Sequence, residues 1–184
     1  ADIVTGPQIY FKSNKKINYT EYFEKKYYSN LKKVNWAATN NVFFLYHIIK
    51  AQKLFFDKSL NKFGMGEDQL FFSILNKKGY KIYWGKNIKV YEKNHHHRFN
   101  IYWLIKRSFR LGVLGHYIDK KLHGKFIGYT TNYLKSILYF LYTAISIFII
   151  FNKKSRINMV NFLFRFLGRL IGPFIFNKIN FLKK

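Results

Sequence analysis

Sixteen consecutive residues, Ser136 to Phe151, carry no charge in a chain whose 184 residues include 33 Lys and Arg. Such a run belongs either in a packed interior or in lipid, because water penalises so much contiguous apolar surface. It falls short of the roughly 20 residues that cross a hydrocarbon core, and lengthening it back to Tyr133 takes in Lys135, so a full crossing needs tilt or snorkelling. Lys153, Lys154 and Arg156 close it on the far side. The next segment, Asn158 to Phe176, spaces Asn158, Asn161, Arg165 and Arg169 at steps of three and four, while Phe162, Leu163, Phe166, Leu167 and Leu170 cover the remainder. This spacing predicts an amphipathic helix stopped at Pro173. Together the two segments read as a membrane hairpin or an interfacial pair whose Lys and Arg meet anionic headgroups, the alternative being a core helix with a packed partner. The change of character sets a boundary near residue 125, dividing 1–125 from 126–184.

Ahead of that boundary the chain alternates strand-like and helix-like patterns. ADIVTGPQIYF reads as a strand at Ile3 and Val4, broken at Gly6-Pro7 and resumed through Ile9 and Phe11. A helix is expected from Tyr22 to Lys33. NWAATNNVFFLY, Asn35 to Tyr46, passes from a polar turn at Asn40-Asn41 into a β-branched and aromatic run, a loop feeding a strand. Loop chemistry returns at Asn61 to Gly66. From Asp68, Leu70, Phe71, Ile74 and Leu75 recur at helical spacing, and Gly79 follows Lys77-Lys78 as a stop. Two short strand-like runs follow, Lys81–Trp84 and Ile88–Tyr91, and then a helix from about Asn100 to Leu114 whose end Gly112 and Gly115 loosen. The first part is therefore mixed α and β.

The net charge of +25 attracts polyanions: nucleic acid, anionic headgroups or phosphorylated substrates. Part of this surplus is compositional, since Lys, Asn, Ile, Phe and Tyr dominate together as AT-rich coding sequence makes them. The aromatic share of 21% excludes a disordered basic tail. With no cysteine, disulfides, thiolate catalysis and zinc-thiolate sites are excluded. The opening residues carry neither an initiator Met nor an export pattern and read as starting mid-protein.

Against 33 basic residues stand only 8 acidic ones, and two of those, Glu67 and Asp68, are adjacent in FGMGEDQLFF. Placed at a helix start, they sit where unpaired N–H groups and the helix dipole favour an ionised carboxylate, which suits either a helix cap or a general base. His95-His96-His97 invites a metal reading, but consecutive residues point in different directions and do not supply three ligands to one ion. Trp36, Trp84 and Trp103 are candidates either to pack in the interior or to stack on the flat face of a ligand.

In order, ADIVTGP, ATNNVFF, FGMGEDQLFFSILNKKGYKIYW and VYEKNHHHRFNIYWLIKRSFRLG resemble the C-terminal half of the family 2 glycosyltransferases of GT-A fold, especially bacterial enzymes of surface-polysaccharide synthesis. The resemblance covers about residues 1 to 125. It implies a partial GT-A α/β fold followed by membrane-associated helices. It also implies inverting transfer of a sugar from a nucleotide-sugar donor to a lipid-linked or polysaccharide acceptor. By similarity Asp68 is the general base and Glu67 helps position it or the acceptor; Asn40, Asn41 and Trp103 line the acceptor side; His97, Arg98, Arg107 and Arg110 approach the donor diphosphate. A complete enzyme of this kind uses a divalent cation, Mg or Mn, held by an Asp-x-Asp motif. No Asp-x-Asp occurs here, so those ligands are expected outside these residues. The resemblance further implies a bacterial inner-membrane location with the catalytic part facing the cytoplasm, and no nucleic-acid partner. The competing expectation is a non-enzymatic basic protein that binds nucleic acid or anionic membrane.

Overall fold

The computed structural model describes residues 1–10, 28–93, 98, 100–148 and 152–181. The chain forms two compact units, one of residues 1–15 with 24–94 and the other of 16–23 with 95–184. The division thus falls near residue 94, and residue 125 instead marks a junction between two packed helices of the second unit.

The first unit is a small mixed α/β body. Its strands are β1 (Ile3–Thr5), β2 (Gln8–Tyr10), β3 (Lys33–Val34), β4 (Val42–Phe44), β5 (Ile82–Trp84) and β6 (Val90–Glu92), and its helices are α1 (Tyr46–Gln52) and α2 (Glu67–Lys77). Four strands make a sheet ordered β3-β5-β1-β4, in which β1 runs parallel to β5 and antiparallel to β4; β2 and β6 pair separately, in parallel. The break at Gly6-Pro7 is enforced sterically. A Cβ on Gly6 would lie 2.1 Å from the Ile88 carbonyl oxygen, so only glycine lets the chain leave the first sheet there. Ile3, Ile48, Phe71, Phe72, Leu75 and Ile82 form the core, sheet against helix. Phe71 and Phe72 meet edge to face at 5.1 Å.

Helix α2 begins one residue before Asp68 and stops at Gly79, whose φ of 96° ends it in the left-handed region. The helix expected at Tyr22–Lys33 lies largely outside the described residues, and its last part is instead a turn leading into β3.

Among the described residues the second unit is a three-helix body of α3 (Ile101–His123), α4 (Lys125–Phe148) and α5 (Lys153–Phe181). Asn100 caps α3 through a 2.8 Å bond accepted from the Tyr102 N–H. Contacts Ser108–Asn161 and Tyr117–Phe176 set α3 and α5 parallel, while Asn132–Arg169 and Tyr142–Phe162 set α4 antiparallel to α5. Gly112 and Gly115 do not end α3. They are where α5 presses closest: a Cβ on Gly112 would sit 2.3 Å from the Arg165 carbonyl oxygen, and one on Gly168 would sit 2.2 Å from that of Phe109. Gly168 and Gly172 form a G-x-x-x-G face on α5, the small-residue contact by which helices approach in lipid.

Pro173 does not stop α5 either, and the reason is specific. Proline has no N–H to give the carbonyl four residues back, which here is Arg169. Asn132 of α4 donates its side-chain amide to that Arg169 oxygen at 3.2 Å and so replaces the missing donor.

Candidate functional site

Glu67 and Asp68 open α2. The capping position is Gly66, with φ of 94° and no side chain to cap with, so the first-turn N–H groups turn to the acids that follow. Asp68 Oδ1 accepts the Gln69 N–H at 2.7 Å. Burial raises the Asp68 carboxyl above its ordinary value and the neighbouring Glu67 charge adds to this, whereas main-chain N–H groups of Gln69, Thr39 and Asp68 itself pull it back. Glu67 Oε2 is buried with no hydrogen-bond partner.

The Thr39 contact matters because residues 39–41 form a 3₁₀ turn, and the fold brings this polar turn against the acidic helix start. Within it the two asparagines differ. Asn41 is buried; its amide donates to the Pro7 carbonyl at 3.0 Å and the Ile88 carbonyl at 2.9 Å, and its own carbonyl accepts the Thr5 hydroxyl at 2.7 Å. It ties the turn to the β1–β2 break and to the approach of β6. Asn40 is exposed, accepts from Gln8 and donates to Glu92 at 3.4 Å.

The remaining predicted residues belong to the second unit. Trp103 and Arg107 lie one turn apart on α3 with the guanidinium 5.2 Å from the indole ring centre. Arg110 is exposed, Arg98 is half-buried just before α3, and His95 to His97 lie outside the described residues. Of the other tryptophans, Trp36 is exposed and Trp84 packs edge to face on Tyr28 at 5.3 Å. Among the described residues no group of three His, Asp or Glu is placed to hold a metal.

Sequence reasoning missed a polar cluster inside the second unit. Asp119 is buried and bridges two cations, Lys135 at 2.6 Å and Arg169 at 2.8 Å; Arg169 also donates to Asn132 Oδ1 at 3.0 Å. Two turns back along α5, Asn161 accepts from Ser108 and from Arg165, each at 3.0 Å. His116 is fully buried beside them, and burial first, then the Lys120 and Arg169 charges, lowers its pKa to about 4, so it is neutral at pH 7. The stripe Asn161–Arg165–Arg169 therefore turns inward, opposite to the headgroup-facing role expected for it. The signal was Asp119 itself, one acid in a helix otherwise rich in base.

The outer surface is the complement. The buried residues of α4 are Gly128, Asn132, Ser136, Thr143 and Ser146, while Leu134, Ile137, Leu138, Phe140, Leu141, Ile145 and Phe148 are exposed. Ser136, Thr143 and Ser146 return their hydroxyls to carbonyls four residues back, which satisfies them without water. On α3 the exposed positions include Lys106 and Arg110 instead. Lys154–Phe176 of α5, with a mean hydropathy of 1.4, is long and apolar enough to cross a membrane. Comparison with protein-family models, curated proteins and solved structures finds no match for this chain.

Proposed function

We propose that the first unit is the core of the acceptor-side half of an inverting GT-A glycosyltransferase of family 2 type, and that the three-helix body holds it at a membrane where a lipid-linked or polysaccharide acceptor is presented. The observation that carries this reading is the pairing of the Glu67-Asp68 helix start with the Thr39–Asn41 turn. Two segments nearly thirty residues apart in sequence meet at one carboxylate.

In this reading the acceptor hydroxyl attacks the anomeric carbon of the donor sugar, the bond to the nucleoside diphosphate breaks with inversion, and Asp68 receives the hydroxyl proton. Its burial makes it a stronger base than an exposed aspartate, while the N–H groups around it keep the ionised form accessible. Glu67 Oε2, buried and unpartnered, is the atom that would accept a second acceptor hydroxyl. The resemblance assigns His97, Arg98, Arg107 and Arg110 to the departing diphosphate, whose charge a Mg or Mn ion held by residues outside this chain would share. The inverted α4 supports the membrane part: an apolar outer face over a polar interior suits lipid, with the basic outer face of α3 toward headgroups or water. This arrangement lies along the interface, on the cytoplasmic side of a bacterial inner membrane where nucleotide sugars are made available. The same face favours anionic membrane over nucleic acid within the competing binding-protein reading.

The test is transfer of label from nucleotide sugars to membrane lipid extract by the full-length protein. Asp68→Asn is expected to lower turnover about 10²- to 10⁴-fold with donor binding retained. Normal turnover by a folded Asp68→Asn protein refutes the base; no transfer from any donor refutes the enzyme.

A further inference from the structure

Asp119 is the one acid that α3, α4 and α5 contain. One of its oxygens meets Lys135 at 2.6 Å and the other meets Arg169 at 2.8 Å. Arg165, one turn before Arg169 on α5, pairs with no carboxylate among the described residues. Its Nε donates to Asn161 Oδ1 at 3.0 Å and its Nη1 to the Tyr139 hydroxyl oxygen at 3.3 Å, both neutral acceptors. Asn161 Oδ1 is shared with the Ser108 hydroxyl, also at 3.0 Å, and the centre of the Tyr139 ring lies 5.8 Å from the Arg165 guanidinium and 5.7 Å from that of Arg169.

A guanidinium drawn partly out of water without a counter-charge is costly, and hydrogen bonds to neutral groups offset only part of that cost. Arg165 is the open member of the inward-turning stripe: Asn161 and Arg169 are buried, whereas Arg165 is half-buried. Two of its three nitrogens are held, which fixes the plane of the fork, and Nη2 has no partner among the described residues. The Tyr139 oxygen accepts from Arg165 and keeps its own proton to donate. A charged N–H edge and a hydroxyl donor therefore stand together with no acceptor for either. The rim beside them is aromatic: Phe162 stacks on Tyr139 with ring centres 6.1 Å apart, Tyr142 lies 5.3 Å from Phe162, and Tyr142 and Phe140 are exposed.

We infer that the seam between α4 and α5 binds the phosphate of an anionic lipid, with the Arg165 guanidinium and the Tyr139 hydroxyl on the phosphate oxygens and Phe140 and Tyr142 against the acyl chains. The phosphate supplies the counter-charge that these three helices lack, and a planar guanidinium already fixed along one edge loses little freedom in meeting it. A phosphate that carries hydrocarbon suits a cation opening onto aromatic surface, whereas a free phosphate leaves that rim in water. The inference rests on the second unit lying at a membrane, as proposed above.

The test is titration of the full-length protein, held in a neutral detergent, with short-chain phosphatidylglycerol at fixed salt. Wild type is expected to show one saturable site. Arg165→Gln is expected to weaken it about tenfold or more, and Arg165→Lys, which keeps the charge and loses the fork, to weaken it nearly as much. Tyr139→Phe, which keeps the ring, is expected to weaken it about fivefold. The control Arg156→Gln removes the same charge from an exposed position of the same helix and is expected to leave the site unchanged. No saturable binding by wild type, no loss in Arg165→Gln, or equal losses in Arg165→Gln and Arg156→Gln overturns the site. Where Arg165→Gln does not fold, Arg165→Lys and Tyr139→Phe decide, and full binding by both overturns it. Inorganic phosphate that competes as well as the lipid assigns the seam to a free phosphate and overturns the lipid. Sedimentation of wild type with phosphatidylcholine vesicles, with and without phosphatidylglycerol, reads the membrane separately: binding there leaves that reading intact where the site falls, and failure to bind either overturns both.

Discussion

The two units of this chain solve burial in opposite ways. In the first, Ile3, Ile48, Phe72, Leu75 and Ile82 are buried and Lys50, Lys53, Lys77 and Lys86 stand outside, the arrangement water imposes. In the second, the inner faces of α4 and α5 carry Asn132, Ser136, Thr143, Asn161 and Arg169, while the outer face of α4 is a band of Leu, Ile and Phe. What differs is the share of polar cohesion: apolar area holds the first, while the second adds hydrogen bonds, ion pairs and close glycine contacts to a buried set that includes Leu104, Val113, Leu114, Ile118 and Phe176. Lipid removes the hydrophobic drive between helices and leaves the second kind.

The sharpest test pairs one deletion from each interior. Phe72→Ala is expected to destabilise the first unit by about 3–5 kcal/mol, through lost burial and the cavity left behind. Asp119→Ala is expected to cost about the same in the second, because Arg169 and Lys135 would keep their charges without a counter-charge. Unfolding of the full-length protein followed with and without lipid should separate them: the first unit's transition is expected to be indifferent to lipid, the second's to move upward. Equal lipid response of both units breaks the comparison.

Next in size is a pH effect confined to the second unit. The folded pKa of His116 lies below its unfolded value of 6.5, so its contribution is complete above pH 6.5 and is lost as pH falls toward about 4. The loss amounts to at most about 3 kcal/mol. His116→Phe is expected to flatten this dependence in a denaturation series across that window.

A smaller effect isolates the proline repair. Asn132→Ala is expected to cost about 1–3 kcal/mol, since the Arg169 carbonyl loses its donor and the guanidinium one acceptor. In a Pro173→Ala background, where the helix supplies its own N–H, the carbonyl part of that cost should vanish. A double-mutant cycle measures the difference.

The smallest concerns Asp68. Its folded pKa is raised, so its contribution is most favourable below pH 3.8 and is lost as pH rises through the folded value. Asp68→Asn is expected to stabilise the first unit slightly at neutral pH, with the gain disappearing in acid; a thermal melt at two pH values reads it.

Local punctuation made part of this legible. The start and stop of α2 were readable because Gly66, the Leu70–Phe71–Ile74–Leu75 spacing and Gly79 are all local, and the break at Gly6-Pro7 likewise. α1 was hidden because VFFLYHII runs on without a turn residue while its second half, from Tyr46, is helical. Pro173 misled because its remedy, Asn132, lies on another helix. The charge-free run was visible, but its inverted packing was not, since hydropathy records how apolar a stretch is and not which residues face inward. At the candidate site the acids were legible, and so was the Asn40-Asn41 turn. What sequence could not give was Asn41's role as an internal tie or the contact that joins Thr39 to Asp68.

The position of β1 also sets a timetable. It is among the earliest residues of this chain and an interior strand of its sheet, and it needs β5 on one side; Asp2 and Lys81, bonded at 2.9 Å, are 79 positions apart. A ribosome adding roughly 5–20 residues each second therefore holds β1 unpaired on that side for some seconds, until Ile82–Trp84 has emerged. During that interval Ile3 and Val4 are a short sticky edge, and the Gly6-Pro7 break limits how far it can propagate into a wrong pairing.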